Sequence, residues 1–205
     1  MAQVDNQVPA QHTGAETNTA FSYEAKSRES ATAKYELVKQ RLLDIDHWQD
    51  FAGAATASFK LMDANGEPTK DPVREGFYFK IDIPGPGTKT GKGYDWVRVE
   101  SVEEEGDAST NIQGISIKVR PSDNPTTDDD NTAHFYSSEA TSNFIVKREG
   151  NTITASVMGR NEKPNTEVSN VIDKTRNAAV GTTAAAGIST IQWNLLVKGL
   201  IRENE

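Results

Sequence analysis

The chain has 205 residues, no cysteine, a formal net charge of −8 and a pI near 5.0. Without cysteine there are no disulfides, thiolate nucleophiles or Cys-ligated metals. The acidic balance, with no Lys/Arg block, argues against nucleic acid and against an anionic membrane surface as partners.

Residues 1–19 are polar and nearly free of large apolar side chains, which predicts a disordered N-terminal tail ahead of one domain at 20–205. They lack the charged and apolar regions of a secretory signal, and no apolar run in the chain nears the ~18 residues of a spanning helix. A soluble, cytoplasmic protein is expected. Phe21, Tyr23 and Ala25 alternate with Ser22, Glu24 and Lys26, the pattern of a first strand. Ser30 precedes Tyr35, Val38, Leu42 and Ile45 at helical spacing, so a helix is expected over about 31–43. Asp44 to Phe51, carrying Trp48, reads as a second short helical segment or a turn.

Strands follow. Ala57, Phe59 and Leu61 alternate up to the turn Asp63-Ala64-Asn65-Gly66. Phe77, Phe79, Ile81 and Ile83 make the clearest half-buried strand, stopped by Pro84-Gly85-Pro86-Gly87. Val97 and Val99 begin another, with Glu103 to Asp107 read as a solvated turn, and Ile115, Ile117 and Val119 a further one ended by Pro121. After an acidic loop at 123–131, Phe135–Tyr136, Asn143–Lys147 and Ile153–Val157 supply the rest, with Glu149-Gly150-Asn151 as a hairpin turn.

The last segment, Asn170 to Ile201, reads as one long helix. Val180, Ala184, Gly187, Ile191 and Leu195 recur on one face of a 3.6-residue repeat. Asn170 suits an N-cap, and Lys198 and Arg202 suit the C-terminal end of the helix dipole. Gly181, Ala184, Ala185, Ala186 and Gly187 are small where a core helix carries Leu or Ile, and each interior Gly costs about 1 kcal/mol relative to Ala. Small side chains leave room for a ligand, or let another element pack close, or kink the helix. The expected architecture is α+β: a curved antiparallel sheet of six to seven strands wrapped around a long C-terminal helix, with two short helices after the first strand.

That order of elements resembles the START/polyketide-cyclase (SRPBCC) superfamily, the helix-grip fold that also holds the birch-pollen-allergen and lipid-transfer proteins. The resemblance spans about residues 20–203 and rests on LLDIDHWQDFAG (42–53), NFIVKREGNTITASVMG (143–159) and GISTIQWNLLVKGLI (187–201). Two features depart from it: the loop at 123–131 is long, and that at 84–94 is rich in glycine. The resemblance implies a cavity between sheet and C-terminal helix that takes a lipid-, steroid- or polyketide-like molecule, with a cyclase or dehydratase as the alternative on the same scaffold. A protein-interaction module with a filled core is a third reading. The expected lining is Phe59, Phe77, Phe79, Val97, Ile117 and Val157 from the strands, and Ala184, Ile188, Ile191 and Leu195 from the helix. Arg98, Asn161 and Gln192 are polar candidates to orient a ligand.

Other motifs read as structure. The glycine-rich loop at 85–93 breaks the phosphate-loop pattern, with Pro86 and Gly93 standing where Gly and Ser/Thr are needed. Asp128-Asp129-Asp130 lacks the alternating ligands, central Gly and distal Glu of a calcium loop. No His pair at helical spacing marks a zinc site, so no metal or cofactor is expected. An acid–base role falls, if anywhere, to His134 with Glu139 or Ser137. Oligomeric state is not legible.

Overall fold

The computed structural model describes residues 3–53, 57–83, 90–166, 177–178 and 189–202. Seven strands, β1 (Ala15–Glu24), β2 (Ser58–Met62), β3 (Tyr78–Asp82), β4 (Asp95–Glu105), β5 (Ile112–Pro121), β6 (Thr141–Glu149) and β7 (Thr152–Glu162), form one antiparallel sheet in the order β1-β7-β6-β5-β4-β3-β2. Helices α1 (Arg28–Leu43) and α2 (Trp48–Ala52) follow β1, joined by a 3-10 turn, and α3 (Ser189–Ile201) ends the described chain. The curved sheet with two helices after its first strand and a C-terminal helix is the helix-grip arrangement.

Helix α1 begins at Arg28, three residues before the expected start at 31, with Ser27 as its cap. The Ser27 hydroxyl accepts the Ser30 amide at 3.2 Å, and the Ser30 hydroxyl accepts the Ser27 amide at 3.1 Å, a reciprocal capping box. Ser30 is thus the return partner of the cap. Replacing Ser27 with alanine is expected to cost about 1 kcal/mol, read as a small drop in Tm.

The strand register sets two faces. Thr19, Val157, Phe144 and Ile117 pair across β1, β7, β6 and β5, so all four point to one side. That inner side carries the main apolar core, with Tyr35, Val38 and Leu42 of α1 and Leu196, Val197 and Leu200 of α3 packed against it. A one-residue shift between Val99 and Ser101 in β4 keeps Val99 and, beyond it, Val102 opposite inward residues of β5. Without that bulge one half of the strand would turn its apolar residues outward.

Several expectations need correction. The acidic run at 103–107 is not a solvated turn as far as Glu105, because β4 continues through it and its carboxylates have partners. Glu104 pairs with Lys39 of α1, while Glu105 accepts the amides of Gln3 at 2.7 Å and Val4 at 3.2 Å. Nor are the described residues before 20 a disordered tail. Gln3–Gln7 form a 3-10 turn, Asp5 pairs with Lys147 at 3.0 Å, and β1 already starts at Ala15. Val4 is fully buried on the outer face beside Ile145. It fits there because Gly114 leaves a notch: a Cβ on Gly114 would come within 2.7 Å of Val4 Cγ2. Two valines, Val4 and Val8, in an otherwise polar run gave no sustained periodic signal. Phe135–Tyr136 is not a strand either; Tyr136 forms only an isolated bridge with Pro164.

For the C-terminal helix, the proposed cap at Asn170 and the small residues 181 and 184–187 lie outside the described residues. Within α3, Leu196, Val197, Leu200 and Ile201 are buried, while Ile191 is 62 % and Leu195 40 % exposed. The stripe expected to face the sheet is therefore turned outward at these two positions. Apolar residues lie on more than one side of α3, so spacing alone leaves its rotation open. The contact with α2 settles it: a Cβ on Gly199 would lie 1.9 Å from the Phe51 carbonyl oxygen, so the two backbones meet there.

Candidate functional site

The inner face is filled by aromatic rings on the side of β2, β3 and β6. Trp48 is fully buried, its centroid 5.2 Å from Phe59, 5.7 Å from Phe79 and 4.6 Å from Phe144. Its indole N–H donates to the Leu42 carbonyl at 3.0 Å, which satisfies the one polar group this ring buries. Trp193 of α3 closes the block, 5.4 Å from Phe144 and 6.2 Å from Phe59. The expected lining residues Phe59, Phe77, Phe79, Val97, Ile117 and Val157 all belong to one core with Trp48. Phe79 and Ile117, with no surface reachable by water, border no water-sized hollow. Ala184 and Ile188 lie outside the described residues.

On the β1–β7 side the face is more open. Phe21 and Tyr23 pair with Ala155 and Ile153, which places both rings on the inner side, yet they are 37 % and 36 % exposed. The Lys34 ammonium of α1 lies 5.3 Å from the Tyr23 ring centroid. This half-open margin runs along β1 beside the buried floor of Ile153, Ala155 and Val157.

A buried carboxyl stands at one end of this margin. Asn161, at φ +56°, puts a bulge into β7, so that Thr17 pairs with Gly159 but Ala15 pairs with Glu162. The extra residue returns Glu162 to the inner side. Its Oε1 lies 3.2 Å from the Thr17 hydroxyl, and a Cβ on Gly159 would come within 2.1 Å of the same oxygen, so the carboxyl lies across Gly159. Glu162 is 3 % exposed and its Oε2 has no hydrogen-bond partner. Burial pushes the carboxyl up to about 7, against the smaller opposing pulls of the Thr17 hydroxyl and the Arg160 charge. The sequence reading did not single out Glu162. The signal available was an apolar-alternating strand ending in an acid beyond Gly159.

The sign of the resulting pH dependence follows from proton binding. Between the ordinary carboxylate range and about pH 7 the folded chain holds a proton at Glu162 that the unfolded chain has released. Stability from this group is therefore complete at acid pH and is lost as pH rises through about 7. Wild type is expected to lose about 3 kcal/mol relative to Glu162→Gln across that interval, measured as urea midpoints from pH 4 to pH 8. A constant difference between the two would contradict the assignment.

Two buried arginines, also not singled out, are structural. The Arg41 guanidinium of α1 donates to the Leu200 carbonyl at 2.8 Å and to that of Arg202, closing the C-terminal end of α3. Arg148 donates to the Gln113 side chain at 2.7 Å and to the Thr110 and Gly150 carbonyls, tying two hairpin turns together. Neither presents its charge to a ligand.

The remaining candidates are scattered. His134 is buried, stacked 4.3 Å from Phe135, and its Nδ1 accepts the Tyr136 amide at 2.9 Å. Glu139 is exposed, as are Arg98 and Asp128 to Asp130. Asn161 holds the N-terminal segment, its Oδ1 accepting the His12 and Thr13 amides. Gln192 is half-buried, its side-chain oxygen 3.5 Å from the Ala57 amide. Residues 84–89 of the glycine-rich loop lie outside the described residues. Among the described residues, no group of three or more His, Asp or Glu is placed to hold a metal, and no helix is long and apolar enough to cross a membrane. A recess of about 100 Å³ between Leu43, Asp46, Leu61 and Lys70 lies at the α1–α2 junction, where Asp46 is engaged by Lys60 and by the Leu61 amide.

No protein-family model matches the sequence, and no curated protein does. Solved structures similar to it include that of Ara h 8.0201, 12 % identical over 91 % of this chain and 99 % of its own, with a TM-score of 0.38. Truncated norcoclaurine synthase from Thalictrum flavum is 8 % identical over 96 % and 100 %, with a TM-score of 0.39. Major latex-like protein 151 from Panax ginseng is 16 % identical over 84 % and 97 %, with a TM-score of 0.33. The strand order and the positions of the helices are what make the fold helix-grip.

Proposed function

We propose that the protein binds a small apolar or amphipathic molecule on the inner face of its sheet, on the β1–β7 side. The observation that carries this reading is the margin at Phe21 and Tyr23, two rings on the inner face left over a third exposed beside a buried apolar floor. Exposed rings contiguous with an apolar wall and a few polar groups are what a ligand of this type needs. The aromatic block around Trp48 excludes a ligand from the β2–β3 side. Of the expected lining, Val157 belongs to the floor of the proposed site, and Ala184 and Ile188 are carried into the proposal with the chain that follows β7. The cyclase or dehydratase alternative gains nothing from His134, whose Nδ1 is already taken by a backbone amide.

The test is native mass spectrometry of the purified chain together with uptake of 1-N-phenylnaphthylamine and of fatty acids. Bound small molecules or saturable uptake, weakened by the double substitution Phe21→Ser and Tyr23→Ser, are expected. Absence of both overturns the reading and leaves the same rings as a surface for a protein partner.

A further inference from the structure

Resting on that reading, we infer that the polar end of the bound molecule is a primary amine, seated on the Glu162 carboxyl beside the hydroxyls of Thr17 and Thr19. Glu162 and Thr19 each keep a buried side-chain oxygen without a hydrogen-bond partner, and both groups lie on the inner face of neighbouring strands. Buried polar atoms of folded proteins are nearly always paired, so two on one face of neighbouring strands, with the Glu162 carboxyl reaching to Thr17, mark a place where a partner belongs. The bulge at Asn161 and the missing side chain at Gly159 are what bring the carboxyl there. Were Glu162 merely structural, the neighbouring Arg160 would be its natural partner. Instead, that guanidinium donates to the carbonyls of Gly159 at 2.7 Å and Thr17 at 3.2 Å.

The chemistry of the acceptors selects the ligand. Ionised Glu162 is an acceptor only; the Thr17 hydroxyl, which donates to its Oε1, and the Thr19 hydroxyl keep acceptor lone pairs, and an alkylammonium brings three N–H donors. A carboxylate or phosphate head would meet a second acid, beside an Arg160 guanidinium already donating to two backbone carbonyls. An alcohol would restore one neutral hydrogen bond, whereas an ammonium makes a charge-assisted one, roughly twice as strong. Because burial holds Glu162 near neutrality in its titration, giving up its proton to pair with a cation is inexpensive at physiological pH. The exchange balances: the neutral acid and an alkylammonium become a carboxylate–ammonium pair, and one proton leaves to solvent. Proton release per bound amine therefore approaches one below about pH 7 and falls away above it.

The experiment uses the full chain with n-octylamine, 1-octanol and octanoate, three heads on one tail, followed by calorimetry at pH 7. Wild type is expected to bind the amine about tenfold more tightly than the alcohol, and Glu162→Gln to remove that preference. As a check independent of any variant, the Glu162 carboxyl carbon of labelled wild type is followed by NMR; the amine should move its titration midpoint to lower pH, and the alcohol should not. If the three ligands bind alike, or the midpoint stays in place with octylamine bound, the amine assignment is overturned while the binding role stands. If none of the three binds, both fall.

Discussion

Substituting alanine for Trp48 is expected to cost about 3–5 kcal/mol and to lower Tm by roughly 10 °C. The ring is fully buried and touches Phe59, Phe79 and Phe144, which come from β2, β3 and β6. Strands β5 and β4 separate β6 from the paired strands β2 and β3, so Trp48 joins two parts of the curve that make no strand-to-strand hydrogen bonds with each other. Removing it forfeits the transfer energy of the ring, leaves a void that the curved sheet cannot collapse to fill, and orphans the Leu42 carbonyl bond. Trp48→Phe keeps most of the volume and is expected to cost about half as much. Thermal unfolding followed by circular dichroism measures both. A loss below about 1 kcal/mol for the alanine variant would mean that this side of the inner face is loosely packed, and with it the argument that moves the ligand to β1 would fail.

Gly199→Ala has the opposite sign to what helix propensity suggests. In an exposed helix the substitution gains about 1 kcal/mol. Here the added methyl would sit 1.9 Å from the Phe51 carbonyl oxygen and 2.5 Å from its carbon, both backbone atoms of α2. Backbone cannot step aside as a flexible side chain does, so α2 and α3 must separate and drag Trp48 and Trp193 with them. A net loss of about 2 kcal/mol is expected, read as a lower urea midpoint with unchanged slope. Lys198→Ala, on the neighbouring half-buried position, is the control and should change stability little. Equal effects from the two would show that α3 does not pack on α2 through Gly199.

Much of the architecture was legible in the chain. Alternation placed Phe59 and Leu61, Phe77 and Phe79, Ile115 and Ile117 on shared faces, and the Gly150 turn joined β6 to β7 as expected. Trp48, read as part of the short segment after α1, is fully buried among three aromatic rings. What could not be read depended on partners distant in sequence. Val4 is buried because Gly114, more than a hundred residues away, leaves room for it. Glu105 accepts from Gln3 and Val4 for the same reason, so an acidic run that looks solvated is partly ordered.

Periodicity along the chain determined which residues share a face, because side-chain direction repeats every two residues in a strand and every 3.6 in a helix whatever the surroundings. Which way each face points was decided only in the assembled fold. One inserted residue at Asn161 turns the Glu162 carboxyl inward, and one close backbone approach at Gly199 fixes the rotation of α3 and leaves Ile191 and Leu195 outside. Both are set by contacts between segments far apart in sequence, and no local pattern of apolar and polar residues carries that information.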